Sequence, residues 1–390
     1  MSGAAGTTVA GRMRPYRIRV PESSIDDLRH RLRQTRWPQQ WEVGGWGYGT
    51  DPVFLRSLCE YWAESYSWRT AEAELDRWPG FVDTIDGEQV HFLHVRSPEP
   101  AAVPLLLLHG WPGSIYEFHR VLGPLTDPRA HGAEPADAFH VVCLSLPGFG
   151  FSGPTRQPGW DIRRIARAAS ELMTRLGYER YGVQGGDWGA TAAMHLGVLD
   201  ADRLVGLHVN LVNVPPPDPA AAEATSPDEQ AYLDRRAELA AHGLGYLAIQ
   251  RTRPASLAFG LLDSPAGLAG WVLDKFRAWS DCDGDVLRSF TPDQLLTNLS
   301  IYWFTGTIGS SARLYQETAA ANSGLVRQRI TVPTGCALFP AEPLLAPRSW
   351  VEAACNLVHW SQMPAGGHFA AFEQPEFFVR DVRSFFALVR

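Results

Sequence analysis

The sequence predicts an α/β protein: a mostly parallel sheet covered by helices on both faces, with an N-terminal helical segment before it and a helical cap inserted into it. Three observations carry this reading. Short, uniformly apolar runs of strand length stand at residues 103–108, 140–146, 181–184 and 204–211. Helical periodicity fills the gaps between them, at about 114–125, 161–176 and 188–199. Strand texture then returns at 330–339 and 357–363, but only after a long, polar, Ala-rich helical stretch. Strands that lack polar alternation and are separated by helices belong in a parallel sheet buried on both faces.

Taken in order, Pro21-Glu-Ser-Ser opens a helical pattern over 25–35, and Asp51 opens another with Phe54, Leu55, Leu58, Tyr61 and Trp62 on one face. Residues 68–78 form a third. The period then changes to two, because 81–85 and 89–95 alternate around Asp86-Gly87, a hairpin signature. Pro215-Pro-Pro-Asp-Pro marks where the cap leaves the core, and an amphipathic helix over 375–389 closes the chain. The division is an N-terminal meander at 1–98 wrapping the core, the core's first part at 99–214, the cap at 215–325 and the core's second part at 326–390. The proline cluster and Ala220-Ala-Ala are the sole low-complexity tracts, and no repeat of fixed period occurs.

Composition narrows the function. The 390 residues are 45% hydrophobic and 20% charged, with 14 Trp, 18 Phe and 11 Tyr, which is ample material for a large core. A formal charge of −7 supplies no field that attracts phosphate backbones or anionic lipid, so nucleic acid and membrane surfaces are not expected partners. Lys275 is the one lysine against a background of arginines, which reads as coding bias in a GC-rich, bacterial genome. The cysteines Cys59, Cys143, Cys282, Cys336 and Cys355 are scattered without a C-x-x-C pair. Reduced, buried thiols in a cytoplasmic protein are the economical expectation. No secretory signal and no run of about 18 apolar residues is visible.

The most informative segment is Gly185-Gly-Asp-Trp-Gly189, where an apolar strand gives way to a helical pattern. This is a G-x-nucleophile-x-G elbow with Asp187 at its apex. A carboxylate there displaces a leaving group at saturated carbon and yields an alkyl ester, whereas serine would form an acyl ester at a carbonyl. An isolated Asp before a helix is usually an N-cap, but the flanking glycines and the preceding strand favour the elbow. His109-Gly-Trp-Pro-Gly-Ser follows the 103–108 strand, so the backbone amides of Trp111 and Trp188 are expected to converge on one oxygen. Trp111-Pro112 is a candidate cis peptide.

A base must follow the nucleophile, and among 12 histidines His368 in Gly366-Gly-His-Phe is preferred, since it lies beyond the last strand in a glycine-loosened loop. His359, inside an apolar strand pattern, is assigned to packing. Glu342 after the 330–339 strand is the preferred orienting acid, with Glu373 and Glu376 as alternatives favoured equally well as helix-start acids. Asp281-Cys-Asp-Gly-Asp285 has the wrong glycine spacing for a calcium loop and reads as a polar turn. Opening a strained ether needs an acid for the departing oxygen. Tyr246, Tyr302 and Tyr315 in the cap qualify, and spacing does not choose among them.

These motifs, together with Tyr302-Trp-Phe-Thr-Gly-Thr, Phe339-Pro-Ala-Glu, Trp46-Gly-Tyr-Gly and Trp68-Arg-Thr-Ala-Glu, resemble the microsomal-type epoxide hydrolase family over nearly the whole chain from Tyr16. The resemblance implies an α/β-hydrolase fold and a cofactor-independent, metal-free conversion of an epoxide and water to a vicinal diol. It implies Asp187 as nucleophile, Glu342 and His368 as charge pair, and Tyr246 and Tyr315 as the tyrosines that hold the epoxide oxygen. Tyr302 is then expected to be structural or pocket-lining, and Trp303 to line the pocket. The membrane-bound members carry an N-terminal anchor that is not seen here, so a soluble relative is expected, and a homo-oligomer is compatible with the sequence. Cap residues Trp271, Trp279, Trp303 and Phe304 are compatible with a bulky aromatic or natural-product epoxide, in detoxification or secondary metabolism. The rival readings are a haloalkane dehalogenase, in which Trp188 would hold halide, and a noncatalytic binding protein on the same scaffold.

Overall fold

A computed structural model describes residues 13–39, 44–217 and 226–390. Arg12, the end of the proline cluster and Ala220-Ala-Ala lie outside them. The strands are β1 (Arg14–Tyr16), β2 (Gly80–Ile85), β3 (Glu88–Val95), β4 (Val103–Leu108), β5 (Phe139–Leu144), β6 (Tyr181–Gly185), β7 (Leu204–Val209), β8 (Ile330–Leu338) and β9 (Cys355–Gln362). They form one sheet in the order β1-β2-β3-β5-β4-β6-β7-β8-β9. From β5 to β9 every neighbour is parallel, whereas β1, β2 and β3 pair antiparallel at one edge. Asp86 and Gly87 turn β2 into β3 with φ of 49° and 80°, the double positive φ that a two-residue hairpin turn requires. The strand β1 is an addition to the expected topology; three residues are too few to leave a periodic signal.

The helices are α1 (Glu22–Arg33), α2 (Pro52–Glu64), α3 (Trp68–Leu75), α4 (Leu122–Thr126), α5 (Ile162–Arg175), α6 (Asp187–Leu199), α7 (Pro227–His242), α8 (Gly245–Thr252), α9 (Pro254–Asp263), α10 (Pro265–Trp279), α11 (Pro292–Thr305), α12 (Ile308–Ala320), α13 (Arg348–Ala354), α14 (Ala370–Glu373) and α15 (Pro375–Val389). Their starts are locally encoded. Asp51 accepts the amides of Val53 and Phe54 at 2.8 Å, Asp161 accepts Arg164 N at 2.8 Å, and Thr291 and Gln294 cap α11 reciprocally. The helix expected at 114–125 is instead a single tight turn at Ile115–Phe118 followed by α4, because Gly123 and Pro124 weaken the helix and Ser114 caps the turn on its own.

Core strands are buried on both faces; Leu105 to Leu108 and Val141 to Leu144 have no solvent exposure. On one face α15 contributes the buried Phe378, Val382, Phe385 and Phe386. The helices α7 to α12 stand between β7 and β8 and roof the carboxyl ends of the strands. The N-terminal helices hold that roof: Trp62 donates its indole N–H to Ser300 at 3.1 Å, Tyr66 bonds Thr297 at 3.0 Å, and Arg31 pairs with Asp263 at 2.9 Å. Among the described residues no single helix is long and apolar enough to cross a membrane; α9 and α10 reach that length only as a pair bent by 119°. All five cysteines are buried with free thiols.

Candidate active site

Asp187 sits where β6 meets α6, with φ of +49°. The left-handed conformation is costly for a side chain with a Cβ, and Asp tolerates it better than most residues. The turn is held by close packing. A Cβ on Gly185 would fall on the Gly189 carbonyl, and one on Gly189 would fall on the Leu108 carbonyl of the neighbouring strand. Both glycines are therefore required for the elbow to lie against β4.

The Asp187 carboxylate is oriented from two sides. Its Oδ1 accepts the Trp111 backbone N–H at 2.7 Å, and its Oδ2 stands 3.4 Å from Nε2 of His368. Trp188 follows it in the first turn of α6, where backbone N–H groups have no intrahelical acceptor. The Trp111-Pro112 peptide is cis. The cap fixes this loop: Asn298 donates to the Pro112 carbonyl at 2.8 Å and accepts from Ser114 at 2.8 Å.

His368 lies between β9 and α14, and its Nδ1 is 2.9 Å and 3.0 Å from the two oxygens of Glu342, which follows β8. Burial works against a charged imidazole here. Glu342 and Asp187 outweigh it and hold His368 well above its ordinary range. The loop is clamped to the cap. His368 N donates to the Trp279 carbonyl at 2.9 Å, and Gly366 N donates to Asp281 Oδ2 at 2.8 Å. Glu373 accepts the amides of Asp281 at 2.7 Å and Phe369 at 3.0 Å. The polar turn at 281–285 thus positions the histidine loop, and Glu373 serves that loop instead of orienting the imidazole.

Above the carboxylate, Tyr246 of α8 and Tyr315 of α12 form an aromatic roof. The Tyr246 ring stacks on Trp111 at 5.3 Å, and Tyr315 meets Trp111 edge-on at 5.9 Å and Trp188 at 4.8 Å. Burial is the first cause that pushes both phenols above their ordinary range; the charge of Asp187 comes next for Tyr246, and Tyr246 and then Asp187 for Tyr315, so both are protonated donors at neutral pH. A cavity of about 380 Å³ reaches Asp187, His368, Glu342 and Tyr246, with Trp279 and apolar residues of α7 and α8 on its walls. Among the described residues no cluster of His, Cys, Asp or Glu could hold a metal ion.

Residues 13–118 match the family model for the epoxide hydrolase N terminus, and residues 103–241 match that for the alpha/beta hydrolase fold. A protein of Stigmatella aurantiaca, provisionally named an epoxide hydrolase, is 44% identical over 96% of this chain and 85% of its own. Epoxide hydrolase 1 of Sus scrofa is 34% identical over 97% of this chain and 89% of its own. The chain belongs to the epoxide hydrolase family. The crystal structure of juvenile hormone epoxide hydrolase from Bombyx mori superposes with a TM-score of 0.87 at 31% identity, covering 97% of this chain and 95% of that one. For the Aspergillus niger epoxide hydrolase the TM-score is 0.86 at 30% identity, with 97% of each chain covered.

In this epoxide hydrolase two expected pocket residues stand elsewhere. Tyr302 is 1% exposed, and its hydroxyl donates to the Gly113 carbonyl at 2.7 Å, so it braces the Trp111 loop from behind. Trp303 faces the N-terminal segment, with the Arg31 guanidinium 5.9 Å from its ring centre, and Phe304 packs on Trp68 at 4.9 Å. A helical pattern shows that aromatics recur but not which neighbour each face meets. His359 does more than pack: it and His208 each bond Asp381 at 2.9 Å. Ser361 contacts the same Nε2 of His359 that Asp381 uses, so this group cannot relay a proton as a triad does.

Sequence reasoning missed Glu117. It lies in the turn after β4, and burial raises its carboxyl to about 8 against the opposing pull of His368. The available signal was a lone acid within the apolar run Ile115-Tyr-Glu-Phe118.

Proposed function

We propose that the protein opens an epoxide to a vicinal diol through a covalent ester on Asp187. The observation that carries this reading is a carboxylate held by a 2.7 Å amide contact beneath one buried and one half-buried phenol and backed by a histidine–glutamate pair. Tyr246 and Tyr315 donate hydrogen bonds to the ring oxygen. An Asp187 oxygen attacks a ring carbon from the opposite side, the ring C–O bond breaks, and the departing oxygen takes a proton from a phenol. Water then attacks the ester carbonyl carbon of Asp187 while His368 removes one of its protons. The Trp111 and Trp188 amides stabilise the oxyanion; as the adduct collapses the departing alkoxide takes the proton from His368, the proton left on the Asp187 acid returns to the phenolate, and the diol, the carboxylate and the phenol are restored.

The apolar walls contributed by Leu239, Leu244, Leu247 and Trp279 suit a bulky epoxide with an apolar body, while Arg236, Arg251 and Asn213 add polar groups to the same cavity. His368→Gln supplies the test. Mixed with a styrene-type epoxide, it should accumulate a mass increment on the peptide bearing Asp187; an unmodified peptide would contradict the two-step scheme. One observation favours the dehalogenase reading: the Trp188 indole N–H is buried without a partner. Halide departs without a proton, so that reading leaves both roof phenols without a task. Halide release from a bromoalkane, with no diol formed from epoxides, would establish it.

A further inference from the structure

A second, much smaller chamber adjoins the nucleophile. Its volume is about 10 Å³, the space of a single water molecule, and it touches Asp187 and His368. Among the described residues these are the only two it shares with the substrate cavity, so the two spaces meet at the reacting pair. Its apolar walls include Phe118, Phe369 and Phe378.

The remaining polar side chains are Glu117, Asn210 and His109, and both ring nitrogens of His109 are already taken, by the Gly110 carbonyl and the Leu146 amide. The Asn210 carbonyl oxygen accepts from Gln184 at 2.9 Å, so the NH₂ group is the part of this side chain that can donate to a water. Nε2 of His368 stands 3.4 Å from Asp187 Oδ2 but makes no hydrogen bond of good geometry, so it too can engage a water. Glu117 reaches the chamber because residue 113 is glycine: a Cβ there would occupy the position of Glu117 Oε1. The chamber therefore combines the volume of one water with three polar groups able to hold it, and an ordered buried water needs two to four.

We propose that this chamber seats the hydrolytic water and that Glu117 is a further catalytic residue, accepting one hydrogen of that water while His368 Nε2 takes the other. The proposal rests on the Asp187 ester described above. In the step itself the water oxygen bonds to the ester carbonyl carbon and one proton passes to His368. The tetrahedral adduct then expels the alkoxide, which recovers that proton from His368. Glu117 is left unchanged. At neutral pH burial keeps Glu117 protonated, so its carbonyl oxygen can accept a hydrogen bond without acting as a competing base or adding a negative charge beside Asp187 and Glu342.

The test compares Glu117→Gln, which keeps a carbonyl acceptor, with Glu117→Met, which fills similar space without one. Single turnovers are quenched rapidly, and ester formation and decay are followed by mass on the Asp187 peptide. In Glu117→Met, formation should stay within about twofold of the wild type while decay slows at least about tenfold; Glu117→Gln should recover most of that loss. Because both steps are read in the same folded molecules, a variant that folds poorly still reports their ratio. Wild-type decay in Glu117→Met, or equal slowing of both steps, would overturn the proposal and leave the ester mechanism standing. No ester on the wild-type Asp187 under rapid quench would remove both.

Discussion

Replacing Glu342 by Gln removes one charge and almost no volume, which isolates the electrostatic part of the charge pair. Its carboxylate is 2.9 Å from Nδ1 of His368, and both side chains are buried. At an effective dielectric of about 20, unit charges at that separation attract by roughly 5–6 kcal/mol, close to four factors of ten in an equilibrium constant. In the resting enzyme Asp187 shares the task of holding His368 protonated. Once Asp187 is esterified its charge is gone, and Glu342 is the remaining carboxylate in contact with the ring. Without it burial prevails, and the imidazolium needed after water attack is no longer stabilised. A glutamine NH₂ facing Nδ1 also favours the wrong tautomer. Ester decay in Glu342→Gln should therefore fall by about a thousandfold while ester formation falls far less, so the intermediate accumulates. Rapid quench with mass analysis reads both rates. Decay within a factor of about ten of the wild type would refute the argument that Glu342 stabilises the imidazolium.

The roof makes the opposite prediction for the other step. Tyr246→Phe and Tyr315→Phe should each slow ester formation by about 10- to 100-fold, the range for losing one hydrogen bond to a developing charge, and should leave ester decay nearly unchanged. Stopped-flow quenching of tryptophan fluorescence by the aromatic surroundings of Asp187 follows this step, and an unaltered rate in both variants would sink the assigned role. Glu117 carries a pH-dependent prediction. Its folded carboxyl titrates near 8 against an ordinary 4.5, so its folded state is favoured when protonated. Its stability contribution is complete below about 4.5 and is lost as pH rises toward 8. Glu117→Gln has no such loss, so its advantage over the wild type should grow by about 1.4 kcal/mol per pH unit, approaching roughly 5 kcal/mol. Denaturant unfolding at pH 5, 7 and 8.5 checks the trend; a difference independent of pH would refute it.

Local sequence carried much of the chemistry. The elbow is legible because the backbone conformation that presents Asp187 needs glycines at two nearby positions, and those glycines mark the chain. His368 and Glu342 were readable from chain order, since each follows a strand whose carboxyl end points toward the same side of the sheet. The roof tyrosines were not separable by spacing. Tyr246, Tyr302 and Tyr315 all sit on cap helices, and only the resemblance favoured the first and third.

What the sequence determined on its own was the strands from β2 to β9, most of the helices between them, and the elbow at Asp187 with Glu342 and His368 as its candidate partners, because each follows from local periodicity, caps and glycine-dependent turns. Tertiary structure alone decided which side of a helix a residue shows to which neighbour. It sent Tyr302 behind the Trp111 loop and Trp303 toward Arg31, turned the 281–285 loop into a clamp on the histidine, and set the half-buried Glu117 beside a water-sized space. The physical reason is that burial, desolvation and cavity volume depend on segments far apart in the chain, and no short window of sequence holds that information.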